Sequence, residues 1–244
     1  MRSLCTTAAQ KTHVDKLLKL VSGKTLNGSQ AWAAFSAPAR SKSFKRKGKP
    51  DLTVDFTAAE VATYKKLRQT VQKKLYEKCA GHCSYCRMAV GHYGWAWHIE
   101  HVLPKAKYPA ETFMLSNLTV ACVHCNCWKG AKVDKHVVGR IMSIIDPSIK
   151  QFNYADHLHF LQIGTEDFAF SKYFPHSPAG CETYDKLSFS ELERAHAING
   201  LHGRSMGVHD RLSRLMQSGL SATDRGELVD FLADLKSSIY RSSK

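Results

Sequence analysis

Residues 98–105 read HIEHVLPK, which sets two imidazoles and one carboxylate within four positions and closes them with a proline. Such a group can ligate a metal, move a proton, or be ordinary surface polarity. The choice depends on its neighbours. On one side stand Cys83 and Cys86, on the other Cys122 and Cys125, each pair separated by two residues. Two thiolates at that spacing can turn onto one ion, and two such pairs complete a closed tetrahedral site, the arrangement of structural zinc. Such a site can pin a loop-rich segment that has little core of its own. Cys79 and Cys127 lie close enough to substitute for a neighbour. Cys5 and Cys181 stand alone as free thiols.

The elements around this segment must position it. A short amphipathic helix is expected over residues 7–22, with Val14, Leu17, Leu18 and Val21 on one face and Gly23 as its stop. Residues 24–37 are mixed. The run ARSKSFKRKGKP, residues 39–50, carries six cations and no acid. Its Ser, Gly and Pro content reads as loop, either a linker or an arm that touches phosphate. Thr57 and Glu60 form a capping-box pattern for a helix reaching about Lys78, with Val61, Tyr64, Leu67, Val71 and Leu75 as its buried stripe. Residues 136–147 fit helix or short strand, and residues 148–180 a small hairpin. Ser188 and Glu191 form a second capping-box pattern. Two further helices are expected around Val208–Met216 and Leu228–Leu235. The expected regions are a helical 1–78, a core at 79–135, and a mixed, then helical 136–244.

Composition points to the partner. The chain of 244 residues carries a formal charge of +14 and is 43 % hydrophobic. It is long enough to bury a core, and its cationic surplus suggests a polyanion, nucleic acid above all. No apolar run approaches a membrane span and the first residues lack a secretory core. A cytoplasmic protein with reduced cysteines and no membrane partner is expected.

In order, the motifs are CxxC, EHxxPK, NL and CxxCNxxKG. Over residues 83–132 the chain therefore resembles the HNH endonuclease family in its zinc-stapled form. The resemblance implies an α+β fold: a ββα-metal core stapled by a four-cysteine zinc site, set between mainly helical flanks. It implies that His101 is the general base and Glu100 a ligand of a catalytic Mg²⁺ or Mn²⁺. Asn117 would brace the loop between the strands, and Asn126 would be the second metal ligand, which makes this an HNN variant. Lys129 matches a family lysine. Lys105, Lys129, Lys132, Arg46 and Lys47 are the expected nucleic-acid contacts.

The chemistry is coherent. Imidazole accepts a proton near neutrality, and carboxylate and amide oxygens suit a hard cation that binds phosphate. The products would be a 5′-phosphate and a 3′-hydroxyl. One geometric difficulty arises, since neighbours on a regular strand face opposite ways. Glu100 and His101 share a site only if the strand ends or twists there, and Pro104 suits such an end. His98 would share Glu100's face, as outer ligand or bystander. His92 and His124 are read as non-catalytic.

A narrower resemblance extends over residues 83–164. Asp146-Pro147, then His157-Leu158-His159-Phe160 and Gly164, are similar to the HNH proteins of Septu and retron-associated anti-phage systems. This implies a defence effector working with an ABC-type ATPase, with or without a retron reverse transcriptase and its RNA–DNA. Arg204, Arg211 and Arg214 would be a docking surface. DNA is the favoured substrate, RNA such as tRNA the alternative. A zinc-stabilised nucleic-acid-binding module without hydrolysis is the reading from a different class.

Overall fold

The computed structural model describes residues 1–46, 48–91, 94, 96–164 and 169–199. Among these residues it is a mixed α+β structure with three sheets of two strands each. Contacts divide the chain into two units, Met1–Phe152 and Asn153–Lys244.

In the first unit, α1 (Ala8–Ser22) starts where Thr7 caps the Gln10 amide and ends at Gly23. Helix α2 (Gly28–Ser36) opens on a full capping box made by Asn27 and Gln30. It occupies the stretch that reads as mixed in the sequence. Within the stretch 39–50, expected to be loop, Ser41–Arg46 instead forms β1, which pairs antiparallel with β2 (Lys49–Asp55). The physical reason is alternation: Phe44 turns inward among polar neighbours, and Gly48 adopts a left-handed φ of 69° at the turn. Helix α3 (Ala58–Lys78) carries the expected Thr57–Glu60 box and buries Tyr64, Leu67, Val71 and Leu75. It is tied to α1 by the Tyr64 hydroxyl, which donates to the His13 carbonyl at 2.8 Å, and by a Lys16–Glu60 ion pair at 2.9 Å.

Then come β3 (Trp97–His101), β4 (Leu118–Cys122) and α4 (Val123–Lys132). The strands run antiparallel, with Trp97 opposite Cys122, Glu100 opposite Thr119 and His101 opposite Leu118. Beyond α4, a 3-10 turn spans Asp134–His136, and residues 137–147 form neither helix nor strand, only a Val138–Ile141 bridge. An aromatic cluster joins α2 to the loop between β3 and β4: Phe35 packs on Phe113 with ring centroids 5.8 Å apart, and on Tyr64 of α3 at 6.1 Å.

The second unit has a hairpin, β5 (Leu158–Gly164) with β6 (Ala169–Pro175), followed by α5 (Pro178–Lys186) and α6 (Phe189–Asn199). Ser188 is left-handed at φ 53°, so it lacks the extended geometry of a capping residue. A buried Lys172–Glu193 pair at 2.7 Å ties β6 to α6. Both flanks therefore mix helix with hairpin. The helices expected beyond residue 200, with Arg204, Arg211 and Arg214, lie outside the described residues. No described helix is long and apolar enough to cross a membrane.

Candidate functional site

Four sulfurs gather first. Cys83, Cys86, Cys122 and Cys125 are all buried, with their sulfur atoms within 4.8 Å of one another. The first pair sits on a tight knuckle. The Cys83 amide donates to Met88, the Ser84 amide to Val120 of β4, and Arg87 takes a left-handed φ of 61°. The second pair straddles the corner between β4 and α4, where Cys122 is the helix cap and its sulfur accepts the Cys125 amide at 3.4 Å. Zn–S bonds of about 2.3 Å put the sulfurs of a tetrahedron about 3.8 Å apart, and Cys86 lies 3.7 Å from Cys122.

The protons tell the same story. Burial pushes the Cys86 and Cys125 thiols up. It opposes the Cys83 thiolate too, but bonds from Cys122, Cys125 and Cys86 outweigh it and hold Cys83 well below its ordinary value. Four buried sulfurs converging on one point are an arrangement that a divalent cation fits. The cluster could hold a structural metal such as zinc. Cys79 is not part of it, because its sulfur contacts the Ser84 and Thr119 hydroxyls. Cys127 is exposed on α4.

The histidine cleft lies next. Strand β3 ends at His101 and the chain bends away, so Glu100 and His101 line one cleft of about 280 Å³ despite their opposite strand faces. His101 is only 2 % exposed. Its Nε2 lies 3.1 Å from the Thr112 carbonyl, and its Nδ1 has no partner. A carbonyl can only accept, so Nε2 carries the hydrogen and Nδ1 keeps a free lone pair. Trp32 of α2 meets the imidazole edge-on at 4.4 Å. Burial, then the nearby Lys105 charge, lower the His101 pKa to about 3, so the ring is neutral at ordinary pH. Asn117 ties the loop behind it. Its Oδ1 accepts the Leu103 amide at 2.7 Å, and its Nδ2 donates to the carbonyls of Leu103 and Glu111.

Two polar rungs join α4 to β3. Asn126 Nδ2 donates to His98 Nδ1 at 2.9 Å. One turn on, Lys129 Nζ lies 2.7 Å from Glu100 Oε1, 2.6 Å from Asp134 Oδ1 and 2.9 Å from the His101 carbonyl. Lys129 is 0 % exposed. This corrects its expected role, since a lysine enclosed by three acceptors cannot reach nucleic acid. Burial raises the Glu100 pKa, with the Lys129 charge opposing it.

Among the described residues, the cysteine cluster is the one group of three or more His, Cys, Asp or Glu side chains placed for a single ion. Glu100 pairs with Lys129 through Oε1 and Asn126 with His98 through Nδ2, and neither belongs to that group.

Of the remaining expected contacts, Lys105 lines the cleft. Lys132 is exposed, its amine 5.8 Å from the Trp128 ring centre. Arg46 donates to the Pro50 carbonyl, whereas Lys47 and His92 lie outside the described residues. Sequence reasoning missed Trp32, Asp134 and the Thr112 carbonyl. The Asn27–Gln30 box was the signal for the helix that carries Trp32, whereas nothing in the spacing marked Asp134. Comparison with family models, curated proteins and solved structures yields no match.

Proposed function

We propose that the protein is a metal-dependent endonuclease of the HNH type, its ββα unit stapled by zinc and its substrate a phosphodiester. One observation carries this reading: a buried imidazole, fixed through Nε2 on the Thr112 carbonyl and with its Nδ1 unpartnered, on a residue that lines a lysine-bearing cleft. In the proposed reaction a water gives its proton to His101 Nδ1 as its oxygen bonds to phosphorus. The bond from phosphorus to the 3′ oxygen breaks, and the leaving oxygen takes a proton from solvent to become the 3′-hydroxyl. A pKa of about 3, set by burial first and the Lys105 charge second, makes a weak base; a phosphate beside Lys105 would offset the lysine's share alone. Glu100 Oε2 and Asn126 Oδ1 would hold the magnesium-class ion. Its contribution, when bound, is to neutralise charge on the phosphate. Thr112, Trp32 and Asn117 do the remaining work by fixing the ring and its loop.

DNA is the favoured substrate and RNA the alternative. The setting proposed is anti-phage defence beside an ABC-type ATPase, on the likeness over residues 83–164. One observation favours the reading without hydrolysis, a zinc-stabilised binder: Lys129 already neutralises Glu100.

The deciding experiment sets wild type beside His101→Ala on plasmid DNA, single-stranded DNA and total tRNA, with magnesium, manganese or no added metal. Metal-dependent cutting that vanishes in His101→Ala is expected. Equal cutting by both proteins would remove His101 as the base.

A further inference from the structure

Among the described residues, Val138 and Ile141 are the most exposed large apolar side chains, each 76 % open to solvent. They are bridge partners across a two-residue turn, so their side chains stand together on one face. Gly139 and Arg140 make that turn with left-handed φ angles of 60° and 64°. The left-handed region is costly for an arginine, and such strain persists only where the surroundings hold it. Here they do. The Arg140 amide donates to the Tyr108 hydroxyl at 3.1 Å, and its guanidinium pairs with Glu111. Lys107 Nζ donates to the carbonyls of Lys135 and Val137, and Val137 itself is buried. The turn is therefore a braced apolar tip.

Its surroundings indicate what it meets. The tip is continuous with the histidine cleft, whose wall includes Lys105, Lys107 and Lys135. Val138 follows Lys135 by three residues, a reach of at most about 11 Å, or about three base pairs of a duplex at about 3.4 Å each. Lys135, His136 and Arg140 are exposed on the same segment. Its one acid, Asp134, is paired with Lys129. The formal charge of +14 repels a second copy of the chain and attracts a polyanion. Phosphates alone would give no role to an aliphatic tip. A duplex would, because its backbone takes the flanking cations while its stacked base pairs offer apolar surface.

Resting on the nuclease reading, we propose that Val138 and Ile141 form a wedge that parts two adjacent base pairs of duplex DNA beside the phosphate held in the cleft. Apolar side chains inserted at a base step unstack it and bend the helix. The wedge makes a double helix, in preference to a single strand, the substrate of the cleft. It reads how easily a step deforms and touches no base edge.

The test is the double variant Val138→Ser/Ile141→Ser in the full chain. Ile149→Ser, at another exposed apolar position, is its control. Binding is read by fluorescence anisotropy without added magnesium or manganese. Three labelled DNA probes are used: a fully paired duplex, the same duplex with one central mismatch, and one strand alone. A mismatch is already partly unstacked, so a wedge enters it at lower cost. Wild type and the control should prefer the mismatched duplex by about tenfold. The double variant should lose that preference and keep wild-type single-strand affinity and melting temperature. Each single substitution serves if the double variant does not fold. A wild type without the preference, a variant that keeps it, or an equal loss on the single strand would overturn the wedge and leave the nuclease reading standing. No binding of any probe by wild type would overturn that reading, and the wedge with it.

Discussion

Lys129→Met keeps roughly the volume of the lysine and removes its charge. In the native protein that amine meets three acceptors within 2.9 Å, two of them carboxylates, and is fully buried. Its loss leaves Glu100 charged, buried and unpaired, while Asp134, partly open to water, rehydrates. Breaking a buried pair by removing one partner costs about 3–5 kcal/mol, against a total stability of about 5–15 kcal/mol. Urea unfolding at pH 7.5 should show it. A loss of about 4 kcal/mol over a slope of about 2 kcal/mol/M lowers the midpoint by about 2 M. The sign of the pH dependence follows. Burial already holds the Glu100 pKa above its ordinary value, with Lys129 opposing. Without Lys129 the folded-state pKa rises further. An acid raised on folding costs stability above its folded pKa, and the cost shrinks as pH falls toward the unfolded value of about 4.3. The variant should thus recover relative to wild type on acidification. Glu100→Gln in the same background should restore much of the loss at pH 7.5. An unchanged midpoint, or a deficit that neither acid nor Glu100→Gln relieves, would refute the claim that this ion pair holds α4 on β3.

Two further perturbations test the surroundings. Cys86→Ser should reduce bound zinc from one per chain toward none by elemental analysis, whereas Cys127→Ser, at an exposed position, should keep it; equal zinc in both would break the four-sulfur assignment. Asn117→Ala removes three hydrogen bonds from the loop behind His101 and leaves the Leu103 amide unsatisfied. It should cost about 2–3 kcal/mol by thermal or urea unfolding, and a wild-type melting curve would refute the bracing role.

Local rules made several elements legible. The capping box of α3 and the apolar stripes of α1 and α3 were readable because helix starts and buried faces leave short-range marks. So were the four clustered cysteines, because metal spacing is itself a local pattern. The hairpin at Ser41–Asp55 was hidden by composition, since lysine, serine and glycine suggest loop even where alternate residues turn inward. Helix α2 was missed because its box uses Asn and Gln in place of the commoner Thr and Glu. Lys129 was expected to contact nucleic acid through the family likeness, although helical spacing argued otherwise: Cys122, Cys125 and Lys129 share one face of α4, and that face is buried. Asp134 and the Thr112 carbonyl left no mark, because only the tertiary fold brings them to the site.

Cys122 is at once the last residue of β4, the cap of α4 and a member of the sulfur cluster. An ion there closes a loop from Cys83 to Cys125, and that loop contains His98, Glu100, His101, Thr112 and Asn117. Closing a loop of this length in a flexible chain costs on the order of 3 kcal/mol of entropy. The metal would offset that cost for the very segment that carries the chemistry. Assembly of the cleft would then be timed by metal supply, and on the proposed nuclease reading a newly made chain would stay inert until the ion arrives.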